Sequence, residues 1–175
     1  LKLGGSKFVA MEVSQTLSEH GYPIYLVCLD KRSHCCCYDR ASTSADPACV
    51  KCFGTGYVIS LIKTRAYSRS QVPPAWGNFG ASYTESLGSV VVGGRYYYLD
   101  NCSMATAMIG SGDLVLEPLY NEAGCITGVS HAYRVSAIDA YRFNGQIVYK
   151  RIACSLLSTG LDALQQAFIY NLQKV

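Results

Sequence analysis

The chain has 175 residues, half of them hydrophobic and only 15% charged, with a formal net charge of +3. That is enough apolar material for one domain with a sizeable core, and it excludes a disordered chain. The basic residues are scattered, which argues against a dedicated nucleic-acid binder, and the longest apolar runs fall well short of the ~20 residues of a membrane-spanning helix.

Taken in order, residues 6–20 read as a helix. Phe8, Val9, Met11, Val13 and Leu17 recur at helical spacing, Ser6 is placed to cap it, and Gly21 with Pro23 ends it. The opening Leu1–Gly5 has no apolar stretch of the signal-peptide kind. Tyr22–Leu29 is a strand. A cysteine-rich segment, 33–56, follows, with Ser42, Thr43, Ser44, Asp46 and Pro47 marking a loop in its middle. Gly56–Tyr67 is a second strand. Residues 68–88, with Pro73, Pro74, Trp76 and Phe79, read as an extended loop or arm and a candidate contact with other subunits. Ser89–Val92 and Arg95–Leu99 read as two strands around a Gly93-Gly94 turn or as one bulged strand. Gly110–Asp113 is a turn leading into Leu114–Leu119, and Asn121–Gly124 is another. Ser130–Phe143, Asn144-Gly145 and Gln146–Cys154 form a hairpin, the strongest such signal in the chain. A final helix spans Leu161–Leu172, with Ser158 or Thr159 as its cap. The fold class is mainly β: one domain, 1–175, built as a small barrel or sandwich with a helix near each end.

Five of the nine cysteines lie within the eighteen residues from Cys35 to Cys52. Cys35-x-Cys37 and Cys49-x-x-Cys52 are separated by an eleven-residue loop. Two short turns that each present two sulfurs suit a tetrahedral four-thiolate zinc site. Gly54 and Gly56 would let the chain turn tightly and re-enter a strand. Cys36 stands as a substitute for either neighbour, His34 as a substitute for a thiolate, and a disulfide from Cys37 to Cys49 or Cys52 is a further alternative. The remaining cysteines, Cys28, Cys102, Cys125 and Cys154, read as reduced, partly buried small hydrophobes.

The segment has two resemblances. Cys49-x-x-Cys52-x-Gly54-x-Gly56 is similar to half of the cysteine-rich repeat of J-domain co-chaperones, a local likeness only. More broadly, the chain resembles neck and head–tail joining proteins of tailed bacteriophages. The residues that carry it are Cys35, Cys37, Asp46-Pro47, Cys49, Cys52 and Gly54-Thr55-Gly56-Tyr57, with Gly112–Leu116 and Asn144–Tyr149 downstream. The triple cysteine departs from that pattern. The resemblance implies a structural protein of the virion, assembled in the host cytoplasm into a homo-oligomeric ring. The ring would join the portal or adaptor to tail proteins and meet DNA only as it passes through the channel. A tail-terminator or baseplate component, and a cellular zinc-ribbon module binding protein or nucleic acid, are the other readings. No catalytic residue is expected. There is no Gly-x-Ser-x-Gly, phosphate loop or dinucleotide fingerprint, the acidic residues are dispersed, and four thiolates would leave a zinc ion no open position.

Overall fold

The computed structural model describes residues 5–70, 94–101, 104–158 and 160–174. The expected mainly β fold with a helix near each end is what forms. Helix α1 is Gly5–His20, followed by β1 Tyr22–His34, the short β2 Tyr38–Asp39 and β3 Ser44–Ala45, and the long β4 Tyr57–Ser70. Then come β5 Arg95–Asp100, a single-turn α2 Met104–Met108, β6 Leu114–Tyr120, β7 Ile126–Phe143, β8 Gln146–Leu156 and α3 Leu161–Leu172.

Six antiparallel strands follow the order β1-β4-β5-β8-β7-β6, and β6 pairs back onto β1 to close a barrel. The closing seam is narrow: only Tyr25–Val27 pair with Leu114–Leu116. β2 and β3 form a separate ribbon between the two cysteine pairs, where the sequence suggested an unpaired loop.

Side chains alternate across β1, and the alternation divides the hydrophobic material into two layers. Ile24, Leu26 and Cys28 point into the barrel with Ala66, Tyr97, Leu99, Val115, Tyr133, Val135, Ile152 and Cys154. Tyr25, Val27 and Leu29 point outward, where Leu114, Leu116 and Ala132 extend the surface and α3 covers it with Leu164, Ala167 and Phe168. Phe168 is fully buried and meets Tyr25 edge-on at 5.0 Å. Burial of that ring stabilises α3 by about 2–3 kcal/mol. The clip segment joins this outer layer through Phe53 and Val50.

Several boundaries differ from expectation for local reasons. β1 runs on to His34, which still pairs with Tyr57 of β4, and β4 runs on to Ser70 because its last four residues pair with β5. The arm therefore cannot begin at 68. Its candidate contacts Pro73, Pro74, Trp76 and Phe79 lie outside the described residues, as do Ser89–Val92. α3 starts from Gly160 in a left-handed conformation with no side-chain cap, so Ser158 does not cap it. α1 already includes Gly5, which places Ser6 inside the helix rather than ahead of it. Asn144 and Gly145, at φ 49° and 78°, make the turn that the sequence predicts. Cys28 and Cys154 are buried free thiols, whereas Cys125 is exposed, contrary to its expected burial. No described helix is long and apolar enough to cross a membrane.

Candidate metal centre

The sulfurs of Cys35, Cys37, Cys49 and Cys52 all lie within 4.8 Å of one another. Across the two turns, Cys35 and Cys49 sulfurs are 3.9 Å apart, and those of Cys37 and Cys52 are 3.4 Å apart. Four sulfurs at ~2.3 Å from a central zinc would stand about 3.8 Å from each other, so the donor set and its spacing fit a tetrahedral, thiophilic ion. These cysteines can hold a metal ion.

Local backbone geometry brings the sulfurs together. Cys35 begins where β1 ends, and its N–H donates to Gly56 O at 2.9 Å, which joins the two turns directly. The Asp46 carboxylate accepts from Ala48 N–H at 2.9 Å and its carbonyl from Cys49 N–H at 3.1 Å, which sets the approach to the second pair. Phe53 and Gly54 then turn left-handed at φ 55° and 68°. That reversal lets Gly56 N–H point back at Cys52 Sγ, 3.4 Å away.

Gly54 is required twice over. A Cβ there would stand 2.5 Å from Pro47 O, on a left-handed backbone. Gly54→Ala is expected to destabilise the protein by about 1–3 kcal/mol and to weaken metal retention, read by urea denaturation and metal analysis. A loss below ~0.5 kcal/mol would show that the turn is not under this constraint.

The remaining sequence candidates are placed elsewhere. Cys36 is exposed, with Lys51 Nζ 3.7 Å from its sulfur. It is not among the four clustered sulfurs. His34, the candidate substitute for a thiolate, is not among them either. It ends β1 and stacks with Tyr38 at 3.9 Å and Tyr57 at 5.2 Å. The clip is also less isolated than a loop held by metal alone. Cys52 and Phe53 are buried, and Asn171 of α3 donates to Val50 O at 2.8 Å.

The thiols differ electrostatically. Burial pushes Cys35 and Cys37 above the ordinary thiol value. Burial also acts upward on Cys49, but hydrogen bonds from Cys37 and from the Lys51 and Cys52 N–H groups outweigh it and bring that thiol down to about 7.

A second polar cluster lies inside the barrel and was not read from the sequence. Glu117 is buried on β6. Its Oε1 accepts from Tyr22 OH, Tyr97 OH and Arg95 Nη1, each at 2.8 Å. Its Oε2 lies 3.1 Å from Nδ1 of the half-exposed His131. Tyr22 OH is also 2.6 Å from Ser68 Oγ. Burial and the Glu117 charge raise the Tyr97 hydroxyl far above its usual value, so it remains a donor. The dispersed carboxylates of the sequence thus include one that the fold surrounds with donors. An acid inside the apolar run Leu114–Leu119 is the signal that could have found it.

No protein-family model matches the chain, and no curated protein matches it.

Proposed function

We propose that this chain is a structural subunit of a tailed-phage neck, with zinc as its structural metal in the four-cysteine clip. The observation that carries this reading is the completeness of the sulfur cluster. Four thiolates fill a tetrahedral shell and leave no position for a substrate, so the metal serves as a staple. The chain order around it is that of the resemblance: strand, Cys-x-Cys turn, Asp-Pro, Cys-x-x-Cys-x-Gly-Thr-Gly-Tyr, strand. The staple ties the end of β1 to the start of β4 while Phe53 fastens the segment to the outer core.

The surface supports an assembly role. Tyr67, Tyr98, Tyr149 and Tyr141 lie side by side across β4, β5, β8 and β7, with neighbouring rings 6.2, 6.1 and 4.8 Å apart. Tyr67 and Tyr141 are about half exposed, as are Phe8 and Met11 on α1. Aromatic and methionine side chains of this kind are enriched at protein interfaces. In a ring, one subunit would present this face to the next, and closure by rotation would leave none unpaired. Portal or adaptor and tail proteins would meet the two ends of the ring, and DNA would pass through its channel.

The test is the mass of the purified protein by light scattering, with electron microscopy of the same sample. Rings of defined subunit number are expected, and Tyr141→Asp with Tyr67→Asp is expected to shift them to monomers without unfolding. A protein that stays monomeric at high concentration and binds nucleic acid with a steep salt dependence would contradict the reading.

A further inference from the structure

We propose that the clip has a second, oxidised state in which two disulfides, Cys35–Cys49 and Cys37–Cys52, replace the metal and keep the same two turns joined. The pairing follows from the geometry. The sulfur contacts at 3.9 and 3.4 Å both run across the turns, and each must close by less than 2 Å to reach the ~2.05 Å bond. Cys36 is left out, because its sulfur faces Lys51 outside the cluster.

Access favours the same result. Cys35, Cys37 and Cys49 are partly exposed, whereas Cys52 is buried. Hydrogen peroxide would meet an accessible thiolate of each pair first. Its O–O bond breaks as an S–O bond forms, giving a sulfenic acid and water once a proton is taken up. The partner sulfur, Cys52 in one pair, then attacks that sulfur, and the S–S bond forms as a second water leaves. Each pair gives two electrons to one peroxide, so two peroxides, with four protons taken up, yield two disulfides, four waters and a released Zn2+ ion whose charge never changes.

The consequence rests on the zinc reading and on assembly inside a cell. A particle built in a reducing cytoplasm and released into an oxidising medium would exchange its metal staple for a covalent one between the same strand ends.

Trypsin makes the pairing readable, because Arg40 and Lys51 separate the cysteines into peptides 33–40, 41–51 and 52–63. Zinc is first measured in the reduced protein. The folded protein is then treated with hydrogen peroxide, alkylated, digested and mapped by mass spectrometry, alongside Cys35→Ser and Cys37→Ser. The wild type is expected to give all three peptides joined. Cys35→Ser should join 33–40 to 52–63 only, and Cys37→Ser should join 33–40 to 41–51 only. The oxidised, zinc-free wild type should melt within a few degrees of the zinc form, well above chelated, reduced protein. A bridge between 41–51 and 52–63, a bridge through Cys36, or sulfinic acids without bridges would overturn the proposal. Absence of zinc before oxidation, with the expected bridges after it, would refute the metal and leave the pairing standing.

Discussion

Cys52→Ser is expected to abolish zinc retention and to lower the melting temperature by about 8–16 °C. Cys52 is the fully buried member of the sulfur cluster, and its sulfur receives the Gly56 N–H, so serine there would leave a hard oxygen where the turn is shaped around sulfur. A metal held at about 1,000 times its dissociation constant contributes ~4 kcal/mol to stability. In a chain of this size each kcal/mol moves the melting point by about 2–4 °C. The loss should stay partial, because the barrel core is formed by residues outside the clip. Calorimetry with metal analysis reads both effects, and Cys36→Ser is the control, expected to keep its zinc and its melting point. Acid should act in the same direction as the mutation. Burial holds the metal-free Cys35 and Cys37 thiols protonated well above the ordinary thiol value, so protons compete with metal, and retention should fall steeply as pH drops below neutrality. A Cys52→Ser protein that keeps one zinc per chain would remove Cys52 from the ligand set.

Glu117→Ala carries the second large effect, an expected loss of about 3–5 kcal/mol measured by urea denaturation. The carboxylate, on β6, gathers Tyr22, Tyr97, Arg95 and His131 from three other strands. Removing it would take this acceptor from the Tyr97 hydroxyl, buried with its ring, and leave Arg95 without this partner. An unsatisfied buried group costs more than its hydrogen bond contributed. Glu117→Gln keeps an acceptor but turns a donor toward other donors, so a smaller loss, about 1.5–3 kcal/mol, is expected. If Glu117→Ala costs less than ~1 kcal/mol, the cluster is not a structural node.

The difference in legibility between these two sites is physical. The clip was readable because its chemistry is local: paired cysteines at fixed spacing and glycines where φ must be positive announce themselves over a short stretch. The hairpin at Asn144-Gly145 and the terminal helices were legible for the same reason. The Glu117 cluster is long-range. Its members come from β1, β5, β6 and β7, and only closure of the barrel brings them together. The ends of β1 and β4 were misread because pairing, rather than hydropathy, extends them into polar sequence. Phe53, just after Cys52, belongs to no motif in the sequence, yet with Val50 it packs the clip onto the outer core. His34 stood in the sequence as a substitute ligand, and only the spatial approach of Tyr38 and Tyr57 gives it a stacking role.

X-ray absorption at the zinc edge, on protein purified without added metal, tests the central claim most directly. The account predicts about one zinc per chain with four sulfur neighbours at ~2.3 Å and no nitrogen or oxygen neighbour, unchanged in Cys36→Ser. A shell containing nitrogen or oxygen, or a folded protein with no metal and four free thiols, would contradict it.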